Sequence, residues 1–302
     1  MLSYIVLQSK KHNFAEQKYK NMKKTILSLS FLLFALGSQA QAIASVEQDA
    51  QKFSIFQSHP WRGKKVAYIG DSITDPKNGA SKKKYWNFLN EWLGIEYFVP
   101  AKSGRQWNDV ARQEQLVQEH WGDDFDAIFI FLGTNDYNHD VKLGEWFNIR
   151  REKVMRAVHN KKKQMESVKH RKPIMDENTF RGRINIALSK LKKDYPDKQI
   201  ILITPIHRAG FFPNEKNWQP EECYSNGIGH FVDEYIEAVK EAGQIWAMPV
   251  IDMSALSGLY PLEDAHAKFF KDAAADRLHP NDLGHERMAK VIASQLLAIP
   301  AF

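Results

Sequence analysis

Val66-Ala67-Tyr68-Ile69-Gly70-Asp71-Ser72-Ile73-Thr74 begins as a short, continuous apolar run rich in β-formers and stops at Gly-Asp-Ser. Four similar runs follow in the 302-residue chain, at residues 95–99, 127–132, 199–204 and 246–251. Continuous rather than alternating apolar runs suit strands covered on both faces, as in a parallel sheet. Between them, residues 85–93, 107–119, 180–195 and 230–242 place apolar side chains three and four apart, the helical spacing, and a last helix is expected over 283–297. This alternation predicts an α/β fold: a three-layer α/β/α sandwich with a mostly parallel five-stranded sheet and right-handed crossovers.

Two connections are longer than crossovers require, at about residues 137–178 and 207–229. Both leave the carboxyl ends of strands, where a doubly wound sheet opens its ligand crevice, so both are expected to rim it.

The net charge of +6 does not imply a nucleic-acid partner, because the excess sits at the front. Residues 1–40 carry six cations against Glu16, with Met22-Lys23-Lys24, an apolar stretch at 26–36, then Ser38 and Ala40. That is a basic n-region, an h-region and a small-residue cleavage site. It predicts an N-terminal extension and a signal peptide over 1–40, starting near Met22. A single domain at 41–302 would follow, secreted or periplasmic, without membrane insertion after cleavage. The lone cysteine, Cys223, excludes a disulfide framework and a Cys-based zinc site and reads as a passive thiol.

Three short motifs carry chemistry. Ser72, just past the first strand and entering a helix N-terminus, has its hydroxyl in the crevice, although Ser after Asp also suits a helix cap. Gly133-Thr134-Asn135-Asp136 closes the third strand with a carboxamide, suited to an oxyanion or to capping its own turn. In Asp276-Arg277-Leu278-His279-Pro280-Asn281, a carboxylate three residues before an imidazole can accept its Nδ1–H in a turn, leaving Nε2 as a base.

In this order, on this fold, the set resembles the SGNH hydrolases, also called GDSL esterases and lipases, over residues 66–298, an SGNH/flavodoxin-like sandwich. The resemblance implies that Ser72 is the nucleophile, His279 the base and Asp276 the residue orienting it. It also implies an oxyanion hole of the Ser72 and Gly104 N–H groups and the Asn135 side chain, with no cofactor. Ile73 stands where the family's name has leucine, and the Gly-x-Ser-x-Gly elbow of α/β-hydrolases is absent. Asp71 and Asp136 read as loop braces accepting backbone hydrogen bonds. His285 reads as a helix residue, and His207 and His230 as pocket or surface residues. Asp71, Asp75 and Asn135 share donor types with a metallophosphoesterase, but no Asp-x-His or Gly-Asn-His completes a metal set.

Residues 150–172 hold ten cations against Glu152 and Glu166. Such a run reads either as a solvated helix face or as a positive lip attracting an anionic substrate such as an acidic glycan. The aromatic residues Tyr137, Trp146, Phe211 and Trp218 are substrate-binding candidates, as sugar-stacking rings, unless they plug the insertions onto the body. Together these features predict a secreted serine esterase acting through an acyl-serine. Its substrate is expected to be a small-molecule or glycan ester with a short acyl group, acetyl foremost. Alternatives are a lysophospholipase or thioesterase-type lipase, a non-catalytic glycan-binding protein on the same fold, and a metal-dependent phosphoesterase.

Overall fold

The structure, a computed structural model, describes residues 58–159 and 162–301. The expected signal segment and Lys161 lie outside the described residues. The chain runs β1 (Lys65–Gly70), α1 (Tyr85–Leu93), β2 (Glu96–Phe98), a short 3-10 turn, α2 (Val110–Trp121) and β3 (Ala127–Phe131). It continues through α3 (Thr134–Asn138), β4 (Phe147–Arg156), β5 (Gln164–Pro173), α4 (Phe180–Asp194) and β6 (Gln199–Ile203). The remainder is β7 (Phe211–Asn214), β8 (Asn217–Gln219), α5 (Val232–Trp246), β9 (Val250–Ile251), α6 (Met253–Leu256), β10 (Phe270–Asp272), β11 (Asp276–Pro280) and α7 (Asp282–Leu296).

The central sheet has the order β2-β1-β3-β6-β9 and every pairing is parallel. Side chains alternate across it with period two. Ala67, Ile69, Ile128 and Ile130 pack against the buried faces of α2, α4 and α5. On the opposite face, Tyr68 and Phe129 meet the rings of Tyr85 and Trp61 edge-on at 5.7 and 5.6 Å, beneath α1 and α7. The predicted three-layer sandwich is therefore the observed one. Strand order reverses between β1 and β3, the place where doubly wound sheets open a crevice. Gly70 pairs with Phe131, so the two strands end level and their following turns lie side by side.

Four features differ from expectation. The strand expected over 246–251 is only Val250–Ile251, because α5 runs on to Trp246 and stops at Ala247, whose φ is +51°. Short apolar runs do not separate helix from strand, and Val239, Ala242, Gly243 and Trp246 keep helical spacing. The basic segment is no helix face: β4 and β5 form an antiparallel ribbon in register from Phe147↔Pro173 to Arg156↔Gln164. Asp-x-x-His lies in β11 rather than in a free turn, paired with β10 and with β7 from the second insertion. Finally, Ser72 does not enter a helix; a turn rich in Asp, Pro, Asn and Gly follows it, and α1 begins only at Tyr85.

Candidate active site

β1 ends in a clamp. Gln113, fully buried on α2, accepts the Gly70 N–H at 2.9 Å and donates to its carbonyl at 3.0 Å. A Cβ on Gly70 would stand 2.5 Å from Thr74 Oγ1, so only glycine lets the chain fold back here. The turn closes through Ile73 N–H to Asp71 Oδ1 (3.1 Å) and Asp75 N–H to the Asp71 carbonyl (2.8 Å), leaving Ser72 at its apex. Gln113→Leu orphans the buried Gly70 N–H, leaves its carbonyl only the 3.3 Å bond from the Lys102 N–H, and should cost about 2 kcal/mol. Urea unfolding measures this; an unchanged midpoint would remove Gln113 from the support of the turn.

The β11 strand brings the third motif to the same place. His279 Nε2 lies 2.9 Å from Ser72 Oγ, while Nδ1 lies 3.0 and 3.1 Å from the two carboxylate oxygens of Asp276. Both residues are buried, at 6% and 4% exposure. The carboxylate fixes the proton on Nδ1 and leaves the Nε2 lone pair facing the serine hydroxyl. Asp276 is itself held by the N–H groups of Leu278 and His279. After Pro280, the Asn281 side chain caps α7 by accepting from Leu283 and Gly284, which anchors the strand-to-helix junction next to His279.

On the other side of Ser72, Gly104 adopts φ +78°, a left-handed turn that favours glycine. Asp75 ties this segment down by accepting the Ser103 N–H (2.8 Å) and hydroxyl (2.7 Å). Among the described residues, no acceptor engages the N–H of Ser72 or of Gly104. The Asn135 amide reaches the same region, yet both its hydrogens have acceptors: Asp71 Oδ2 at 3.1 Å and the Arg105 carbonyl at 3.2 Å. An oxyanion arriving here has to displace one of these bonds. Gln106 and Arg183, which carry no motif of their own, hold the Asn135 turn. Gln106 donates to the Asn135 carbonyl, and Arg183 pairs with buried Asp136 at 2.9 Å and also donates to Gln106.

Two buried acids flank Asn135. Burial pushes Asp71 up to about 7, reinforced by Asp136 and opposed by the hydrogen bonds from Ile73 and Asn135. Burial likewise pushes Asp136 up to about 6, against the pull of Arg183 and the Trp107 N–H. The folded chain thus keeps protons that the unfolded chain releases near pH 4. This contribution to stability is full below about pH 4 and is lost as pH rises through about 6 to 7. Asp71→Asn should flatten part of the fall in Tm between about pH 4 and 7. Profiles of equal slope would show that Asp71 does not carry it.

Of the four candidate substrate-binding rings, two are buried. Tyr137 is 4% exposed, meets Tyr235 edge-on and donates its hydroxyl to the Tyr224 carbonyl. Trp146 is 9% exposed and donates to Glu241. Both sit at the foot of the first insertion, where an aromatic ring gains most by packing onto α4 and α5. Phe211 meets the His279 ring edge-on at 4.8 Å. Trp218 is 69% exposed and stacks on Phe212 at 4.2 Å, forming a wall of a cleft of about 420 Å³ shared with Tyr224 and Arg277. Cys223 is exposed, and His285 is fully buried, its pKa driven well below the usual value by burial. Among the described residues no group of three or more His, Cys, Asp or Glu could share a metal ion.

A second Ser-His-carboxylate contact has no sequence signal, because its members come from three separate segments. His207 Nδ1 lies 2.6 Å from Glu222 Oε1, and its Nε2 lies 3.3 Å from Ser254 Oγ. The hydrogen bond that Glu222 accepts raises the His207 pKa. The N–H groups of Ser254 and Ala255 are already spent on Thr204 and Asp252, unlike the N–H of Ser72.

Comparison with known proteins agrees with the fold. No curated protein sequence matches the chain. A solved protein from Lactobacillus plantarum shares 23% identity at a TM-score of 0.60, over 78% of this chain and 97% of its own. A possible lipase from Chitinophaga pinensis DSM 2588 shares 21% at a TM-score of 0.56, over 78% and 98%. The model of the GDSL-like Lipase/Acylhydrolase family matches residues 68–287, a span that runs from β1 through the Gly-Asp-Ser turn to the start of α7. The chain therefore belongs to the GDSL-like lipase/acylhydrolase family, the SGNH hydrolases, and is an ester-hydrolysing enzyme.

Proposed function

We propose that the protein is an exported serine esterase that removes short acyl groups, acetyl foremost, from a carbohydrate or other polar alcohol. The observation that carries the mechanism is the unbroken chain Ser72 Oγ, His279 Nε2, His279 Nδ1, Asp276 at 2.9 and 3.0 Å. Ser72 Oγ attacks the ester carbonyl carbon while His279 takes its proton, and the carbonyl electron pair moves onto oxygen. The N–H groups of Ser72 and Gly104 receive that oxyanion, joined by Asn135 as its amide leaves the Arg105 carbonyl or Asp71. Collapse expels the alkoxide, which takes the proton from His279. Water then repeats the sequence on acyl-Ser72, releasing the acid and restoring the hydroxyl.

The substrate class rests on the surroundings. β7 turns Phe211 to His279 and, on its other face, Phe212 to Trp218, and that stack lines with Arg277 an open cleft that none of Ser72, Asp276 and His279 enters. Exposed rings beside polar groups suit a sugar-like alcohol better than a long acyl chain. Export rests on the basic and apolar pattern of residues 1–40.

A p-nitrophenyl ester series tests the acyl side: kcat/KM should fall steadily from acetyl to decanoyl, and excess chelator should leave it unchanged. A maximum at long chains would favour a lipase. Loss of activity in chelator would favour metal chemistry, and no hydrolysis of any ester would favour a binding protein.

A further inference from the structure

The β4–β5 ribbon is exposed along both strands, and its extensive packing is of one strand on the other. Directly paired residues of an antiparallel ribbon share a face, so its register sorts every side chain. One face carries Asn148, Arg150, Glu152, Val154 and Arg156 beside Gln164, Glu166, Val168, His170 and Lys172. Both acids lie here and are paired: Arg156 with Glu166 at 3.3 Å, and His170 and Lys172 with Glu152 at 2.7 and 3.6 Å.

The other face carries Arg151, Lys153, Lys169 and Arg171 with no acid at all. Arg171 lies over the Phe147 ring and Arg151 bonds Ser167. Among the described residues no carboxylate pairs with any of the four. Between these cations stand Ile149, Met155 and Met165, at 62, 54 and 56% exposure. Met155 and Met165 pair near the free end, where Val158, Lys162 and Lys163 are also exposed. A two-stranded ribbon has no core of its own, and nothing among the described residues buries these apolar side chains.

We propose that this face of the ribbon is a docking surface for an anionic lipid bilayer. Cations attract the charged headgroups, while the flexible methionines, with Ile149, enter the boundary between headgroup and acyl chain. An acidic polysaccharide would account for the four cations but offers no apolar phase to Ile149, Met155 and Met165. The acid-free face carries four cations, whereas the opposite face sets Arg150, Arg156 and Lys172 against Glu152 and Glu166, and this imbalance fixes which side lies on the membrane. The ribbon spans about 30 Å at roughly 3.3 Å per residue, room for all four cations to engage headgroups together.

Co-sedimentation of the full chain with vesicles tests this. The readout is the ratio of its affinities for vesicles containing phosphatidylglycerol and for phosphatidylcholine alone, so any contribution of the N-terminal segment is common to every variant. The unaltered protein should favour the anionic vesicles, less so as salt rises. Arg151→Gln, Lys153→Gln and Lys169→Gln combined should lower the ratio about a hundredfold, at about fivefold per cation. Arg150→Gln, Arg156→Gln and Lys172→Gln, the same charge change on the opposite face, should lower it far less. Met155→Ser with Met165→Ser should weaken binding while leaving its salt dependence intact. Hydrolysis of a soluble acetyl ester, unchanged in all variants, certifies their folding. No preference for anionic vesicles, equal losses from the two faces, or binding of an acidic polysaccharide through this face without vesicle binding would each overturn the proposal.

Discussion

Ser72→Ala and His279→Ala should each lower the turnover of an acetyl ester by about four orders of magnitude or more, while the double variant is no slower than either alone. The reason is the single 2.9 Å contact through which both act: a hydroxyl without its base and a base without its hydroxyl are equally inert. Neither change opens a large cavity, so far-UV circular dichroism and the unfolding midpoint should stay close to those of the parent. Ser254→Ala is the matched control. It removes a serine that also contacts a histidine paired with a carboxylate, but one whose own N–H is already bonded to Thr204, and activity should be retained. A loss in Ser254→Ala comparable to that in Ser72→Ala would assign the chemistry to the wrong serine.

Asn135→Ala carries the second largest effect, a fall in kcat of about a hundredfold with KM little changed. The usual range for one lost oxyanion donor reaches about a thousandfold. Here the lower end is expected, because the amide already bonds Asp71 and the Arg105 carbonyl and exchanges one contact rather than gaining one. A rise in KM at constant kcat would make Asn135 a residue that binds the ester before reaction.

The sequence legible to pattern reading was the part governed by short-range rules. Continuous apolar runs marked β1, β3 and β6, and three motifs marked the turns that converge on the crevice, because strand ends and their following turns are set locally. What escaped was set by distant partners. Gln113 looks like any helix glutamine until the Gly70 peptide is placed against it, and Arg183 like any surface cation until Asp136 is buried beside it. Tyr137 and Trp146 resemble sugar platforms in composition, and only packing against α4 and α5 reveals them as anchors. The basic run gives no sign that it is a ribbon, because charge content carries no period. Its two-face order appears only when strand partners are known.

The central claim is an acyl group carried on Ser72. The direct measurement is peptide mass spectrometry of enzyme quenched with acid during steady turnover of p-nitrophenyl acetate, in the parent and in His279→Ala. One acetyl group is expected on the peptide that contains Ser72 in the parent, and none in the variant. Acetylation at Ser254 or another residue, or hydrolysis proceeding at full rate with Ser72 never labelled, even under rapid quench, would contradict it.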